Sequence, residues 1–169
     1  MDINVVYKAP GHGVLTWNGA CHDVTLGRNG VRQDKREGDG ASPIGCFPLR
    51  SVFYRADRMA MPVTRLPCLA IARDDGWCDA PDDPAYNRKV RLPYPASAER
   101  MWREDGLYDL VVVLGHNDDP VVPGLGSAIF LHLARDDGGP TEGCVGVKRE
   151  LALALVAALG PDDRICIRT

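Results

Sequence analysis

A thiol and an imidazole twelve residues apart are the two side chains in this sequence best suited to act together chemically. Cys144 lies in GGPTEGCVGV, residues 138–147, directly after Gly143 and shortly before Gly146. Flanking glycines suit a close backbone approach to a ligand. His132 lies upstream in GSAIFLHLA, where strand alternation puts it on the face of Phe130 and Ala128. Both residues also have bland readings. A free cysteine is often a small buried hydrophobe, and a lone strand histidine is often a hydrogen-bonded core residue. The reactive reading pairs them: a strand followed by a Gly-rich return brings its end beside the far side of the loop. A Cys–His pair makes thiolate available near neutral pH, and the imidazole then protonates a leaving amine. The N–H groups of Gly143 and Cys144 would donate to the oxyanion of a tetrahedral intermediate. A helix starting about four residues after Cys144 adds little, because the dipole effect fades within one turn.

Strands must position this pair. Short apolar runs rich in β-branched residues recur between turn signals: INVVY, GVLTW, HDVTLG, CFPLR, CLAIA, LVVVLG, SAIFLHL and ICIRT. LVVVLG and AIFLHL are apolar at successive positions, as in strands covered on both faces. The 18 glycines and 13 prolines exceed the roughly 12 % combined share of average usage and favour turns over helices. Two helices are predicted, ASAERMWRED at 96–105 and KRELALALVAALG at 148–160, the second ended by Gly160 and Pro161 and largely buried. Between strands, RDDGWCDAPDDPAYNRKVRLPYP is a long polar insertion carrying Trp77 and Tyr86, of a length usually functional or mobile. No repeat, low-complexity segment or linker divides the chain. The expectation is one mainly β, compact, sandwich-like domain over residues 1–169 with a few short helices.

Composition excludes several classes. The net charge of −3 and scattered basic residues leave no field for nucleic acid. No apolar run approaches the ~18 residues of a membrane span. The N-terminus MDINVVYKAPGHGV has no leader pattern, so the expected location is cytoplasmic unless a leader precedes this sequence. Six cysteines at 21, 46, 68, 78, 144 and 166 lack CxxC spacing and are too sparse for a disulfide scaffold. With Cys144 set aside five remain, which cannot all pair, and the redox compartment stays open. His12, His22, His116 and His132 with nearby acids raise a zinc peptidase as an alternative, but no HExxH or other short metal motif is present. A non-catalytic binding module is a third reading, in which Cys144 is buried and inert. His116 and Asn117 end a strand and either face the cleft or shape a turn. Lys35, Glu37 and Asp39 read as a solvated turn, with Pro43 and Gly45 as turn punctuation.

Three segments in order resemble the L,D-transpeptidase (YkuD-type) catalytic domain of bacterial cell-wall enzymes, over roughly residues 13 to 168. The family signature is a strand His, a loop, then Ser/Thr-His-Gly-Cys and an apolar residue; this chain has His132, then Thr141-Glu142-Gly143-Cys144-Val145. KREGDGASPIGCFPL, 35–49, is similar to the family's Lys-x-Glu-Gly-Asp segment, and YDLVVVLGHN and GSAIFLHL to the strands walling its site. The resemblance implies a Cys144 nucleophile acylated by a peptidoglycan stem peptide at a diaminopimelate-type carbonyl. His132 would be base and acid, oriented by the Leu133 carbonyl, with Thr141, Glu142, His116 and Asn117 supporting or contacting substrate. D-alanine leaves, and an amine of a second stem peptide resolves the thioester. No metal or organic cofactor is implied, and a monomer is expected. Glu142 stands where the signature has a second His, changing the charge beside the thiol, and the His-to-Cys interval is shorter than usual. An atypical branch using water, as an L,D-carboxypeptidase or amidase, is therefore the alternative outcome.

Overall fold

The computed structural model describes residues 1–169. Its strands are β1 (Asp2–Ala9), β2 (His12–Trp17), β3 (Ala20–Thr25), β4 (Val31–Arg32), β5 (Ser42–Pro43), β6 (Gly45–Tyr54) and β7 (Cys68–Ala70). They continue as β8 (Asp75–Cys78), β9 (Lys89–Arg91), β10 (Ala98–Arg100), β11 (Leu110–Leu114), β12 (Phe130–Leu133) and β13 (Val145–Val147). One helix, α1 (Arg149–Ala158), precedes β14 (Arg164–Arg168).

Alternation builds the first hairpins. Ile3 and Val5 on β1, Leu15 on β2 and Val24 on β3 turn inwards, while polar neighbours stay outside. Asn18 and Gly19, at φ 49° and 77°, close the β2–β3 turn in a conformation that matches strand twist. The main sheet runs β11-β12-β13-β3-β2-β1-β14-β6-β7, and a further β11–β6 pairing joins its two sides into a ring. The mainly β expectation holds, with the walls of the expected sandwich continuous through β6. This strand serves both sides because it is long: Gly45 to Pro48 pair with β14, and Leu49 to Tyr54 with β11. Cys46 and Cys166 face each other across β6 and β14 and form a disulfide.

β11 and β12 are buried along their whole length, as their unbroken apolar runs foretold. Their two faces feed two cores. Leu110, Val112, Leu114, Leu131 and Leu133 join the larger core, which also takes in Leu151 and Leu155 of α1. Val111, Val113 and Phe130 face outwards into a second core with Trp77, Met101, Tyr108 and Cys144. That second core is roofed by a small sheet of order β10-β8-β9. The polar insertion is thus folded as a flap over the outer face of β11 and β12, not as a loop.

The helix expected at 96–105 is absent. Ala98, Glu99 and Arg100 pair instead with Cys78, Trp77 and Gly76 of β8, and the chain then turns. Met101 is fully buried, and Trp102 lies under the Arg55 guanidinium at 3.6 Å. Tertiary pairing and these anchors override the helical propensity of Ala, Glu, Arg and Met. The second helix is found, two residues shorter at its end and one at its start than expected. No helix is long and apolar enough to cross a membrane.

Candidate active site

Strand register decides what stands beside the thiol. β12 and β13 run parallel, with Leu131 opposite Val145 and His132 opposite Gly146. One step back along both strands sets Cys144 beside Phe130. The Phe130 N–H donates to Cys144 Sγ at 3.4 Å, and the thiol donates to the Ala128 carbonyl at 3.2 Å. His132 lies two residues further along the same face, a backbone separation of ~7 Å. Cys144 is 7 % exposed and His132 5 %, and both line one cavity of about 420 Å³. No hydrogen bond joins thiol and imidazole; each is held by backbone.

His132 Nδ1 lies 2.8 Å from the Leu133 carbonyl oxygen. A carbonyl only accepts, so Nδ1 carries the proton and Nε2 keeps the free lone pair of a base. Tyr108 packs its ring edgewise on the imidazole, with centroids 5.3 Å apart. Burial disfavours the imidazolium and lowers the His132 pKa to about 4. Burial likewise pushes the Cys144 thiol up to about 12, with the charge of Glu99 the next contribution. The resting pair is therefore a neutral thiol and a neutral imidazole. This corrects the expectation of a ready thiolate: the pairing argument counted the partner and not the desolvation of both.

The signature loop is built by Thr141. Its N–H donates to the Leu26 carbonyl and its own carbonyl accepts from Arg28, which pins the loop to the end of β3. Its Oγ1 donates to the Cys144 carbonyl at 2.7 Å and accepts the Gly143 N–H at 3.1 Å. Gly143 adopts φ +145°, and a Cβ there would sit 2.8 Å from the Ala41 carbonyl, so only glycine fits without strain. Gly146 is needed for packing, since a Cβ would meet Thr25 Oγ1 at 2.2 Å. Of the two N–H groups expected to face an oxyanion, that of Cys144 has no protein acceptor while that of Gly143 is engaged by Thr141. Glu142 points away, 75 % exposed and paired with Arg28. The expected change of charge beside the thiol is thus moved to the rim.

His116 and Asn117 do not line this cavity. His116 Nε2 bonds the Leu125 carbonyl oxygen at 2.9 Å and its ring packs on Phe47, while Asn117 ties Val122 and Gly126 together. They shape the loop that delivers β12. Lys35 and Glu37, read as a solvated turn, do line the cavity. Lys35 is buried against Asp39 at 2.5 Å, and Glu37 accepts from Tyr86 and Ser127. The four histidines are not gathered: His12 and His22 lie on β2 and β3. The grouping with metal-like spacing is Asp2, Cys46 and Cys166, in which the two sulfurs are bonded to each other.

Several residues at the site carry no motif. Asn87 accepts from Trp77 Nε1 at 3.0 Å and from the Ala128 N–H at 3.1 Å, and donates to the carbonyls of His116 and Asn117. It holds Ala128 at φ 52°, unusual for alanine, which aims the Ala128 carbonyl at the thiol. Glu99, Arg103 and Tyr108 complete the wall. Their one sequence signal was the length of the polar insertion they adjoin.

No curated protein and no solved structure matches the chain. A family model described as the L,D-transpeptidase catalytic domain matches residues 4–167 of the 169. With a strand histidine and a Gly-Cys step on one cavity inside that span, the chain belongs to the YkuD family of L,D-transpeptidase catalytic domains, a family of enzymes acting on peptidoglycan.

Proposed function

We propose that this protein is a cysteine acyltransferase that remodels or cross-links peptidoglycan stem peptides through a Cys144 thioester. The observation that carries the reading is a buried thiol and a tautomer-fixed imidazole on the wall of one cavity. Cys144 Sγ attacks the carbonyl of the diamino residue while its proton passes to His132 Nε2. The Cys144 N–H donates to the developing oxyanion, and the Gly143 N–H joins it when the Thr141 hydroxyl turns away. On collapse the C–N bond breaks, His132 returns its proton to the departing amine, and D-alanine leaves. An amine of a second stem peptide then attacks the thioester, gives its proton to His132, and the thiol is regenerated.

Mass spectrometry of muropeptides after incubation with the protein tests this. A 3→3 cross-linked dimer is expected. A tripeptide alone would make the protein an L,D-carboxypeptidase, release of a wall-bound protein would make it an amidase, and no product with Cys144-dependent signal would refute acyl transfer. A periplasmic or cell-wall location is proposed with it, supported by the Cys46–Cys166 disulfide, which persists in oxidising compartments.

A further inference from the structure

Of the charged groups lining the cavity, the acids Glu99 and Asp79 each keep an oxygen without a hydrogen-bond donor. On the cationic side, Lys35 is taken by Asp39 and the Arg36 carbonyl, Arg103 by Asp105, and Arg135 by Asp137. Among the acids, Glu37 accepts from Tyr86 and Ser127, and Glu142 pairs with Arg28 outside. Asp79 and Glu99 remain, brought together where β8 and β10 pair: Ala98 faces Cys78, and the Asp79 N–H donates to the Ser97 carbonyl. Glu99 Oε1 accepts the Tyr108 hydroxyl and has Arg103 Nη1 beyond it at 3.9 Å, whereas Oε2 has no partner. Asp79 Oδ1 is closed off from solvent and bonds nothing. Glu99 Oε2 is not shielded in this way, so a donor carried into the cavity can reach it. Both residues line the same cavity as Cys144.

We propose that Glu99, seconded by Asp79, is the specificity-determining wall that holds an ammonium group of the substrate beside the carbonyl attacked by Cys144. The proposal rests on the acyl-transfer reading of this cavity and adds the sign of charge it selects. An ammonium there supplies a donor to Glu99 Oε2 and lies in the field of the Asp79 carboxylate. Burial raises the Glu99 pKa, while the Tyr108 hydroxyl and Arg103 favour its carboxylate. In that ionised form its field is, after burial, what most opposes ionisation of the thiol, and the ammonium offsets it. A cationic substrate thereby helps to activate its own nucleophile. The ammonium belongs either to the donor's diamino residue or to the acceptor.

The wall's charge is read without turnover by two methanethiosulfonates of similar size, the 2-aminoethyl cation and the 2-sulfonatoethyl anion. In each, the Cys144 thiolate attacks the sulfenyl sulfur, methanesulfinate leaves, and a mixed disulfide forms. The cation-to-anion rate ratio is measured by peptide mapping at Cys144, with exposed Cys21 as the internal reference. The ratio at Cys144 is expected to exceed that at Cys21 by about tenfold or more, and Glu99→Gln to lower it by about tenfold. Glutamine keeps an oxygen for the Tyr108 hydroxyl, and changes in thiol acidity or access cancel in the ratio. Asp79→Asn provides a second variant with a smaller drop. A wild-type ratio equal to that of Cys21, or one unmoved by both substitutions, overturns the proposal. With tetrapeptides bearing a free or an acetylated side-chain amine, discrimination in single-turnover acylation that Glu99→Gln abolishes assigns the wall to the donor. Discrimination confined to aminolysis of the thioester assigns it to the acceptor, and discrimination in neither step refutes the inference. Failure of both peptides to form a thioester counts against acyl transfer itself, while the reagent ratio still reads the wall.

Discussion

A neutral electrophile should label Cys144 slowly, despite the nucleophilic role proposed for it. At pH ~7.5 a thiol held at about 12 is ionised to roughly three parts in 10⁵, against roughly one in ten for a free cysteine at ~8.5. The thiolate populations differ by a factor of ~3000. A more basic thiolate is also the better nucleophile, by ~0.4–0.5 log unit per pKa unit, which recovers a factor of about 40 over the ~3.5-unit gap. The net expectation is alkylation about a hundredfold slower than that of a free cysteine peptide. His132 does not rescue this resting rate. With the pair at about 12 and about 4, proton transfer costs on the order of 11 kcal/mol at ~1.36 kcal/mol per unit. Attraction between the new charges returns only about 4 kcal/mol even at ~4 Å and an effective dielectric of ~20. Limiting iodoacetamide at pH ~7.5 with peptide mapping is the assay, and the exposed Cys21 should be labelled first. His132→Ala should leave the Cys144 alkylation rate nearly unchanged while abolishing acylation by a strained amide such as a carbapenem. Alkylation of Cys144 at or above the free-peptide rate, with a plateau below pH ~8, would mean a resting thiolate and refute the burial argument.

Stability should fall with acid through His132. The unfolded chain takes up this proton near the ordinary 6.5 and the folded chain near 4, so stability declines as pH drops from about 6.5 to about 4, by about 3 kcal/mol in full. Urea midpoints at pH ~7.5 and ~4.5 should differ accordingly, and His132→Asn should flatten this part of the profile. Gly143→Ala should lose activity by at least ~100-fold, because its Cβ meets the Ala41 carbonyl and the loop carrying Cys144 must shift; turnover within a few-fold of wild type would contradict the assigned loop geometry. Cutting the Cys46–Cys166 link should destabilise by up to about 5 kcal/mol on the chain-entropy estimate for a 120-residue loop, read as a lower Tm with Cys46→Ser/Cys166→Ser.

Local signals carried the strands and the pair. β11 and β12 were legible because residues covered on both faces are apolar without alternation, and His132 stood out as the one ionisable group in such a run. That Cys144 and His132 would line one cavity was legible because a strand and a Gly-rich return leave few places for the next residues to go, although no hydrogen bond joins the two side chains. What failed was decided at a distance. The stretch 96–105 has helical composition, yet its fate is set by β8, whose free edge lies some twenty residues upstream and takes Glu99 opposite Trp77. Lys35 reads as a surface residue until the loop before β12 folds over it. Glu99 and Tyr108 announce nothing in sequence because their contact needs the flap and the start of β11 to meet.

The acidity of the thiol belongs to the same class. Any residue order that places a cysteine beside a histidine suggests an ion pair, but the flap that makes the cavity also strips both groups of water. Burial by the flap and the charge of Glu99 act together against the thiolate, and both arise from one short sheet. The site is therefore quiet at rest by construction, and the step that wakes it has to come with the substrate. In the proposed reaction, an incoming carbonyl turns toward the Cys144 N–H, which has no protein acceptor, and gives the attacking electrons a place to go. An ammonium on the Glu99 side removes part of the opposing field at the same moment. Selectivity and activation then share one physical source, because a substrate without the ammonium leaves the opposing field of Glu99 in place.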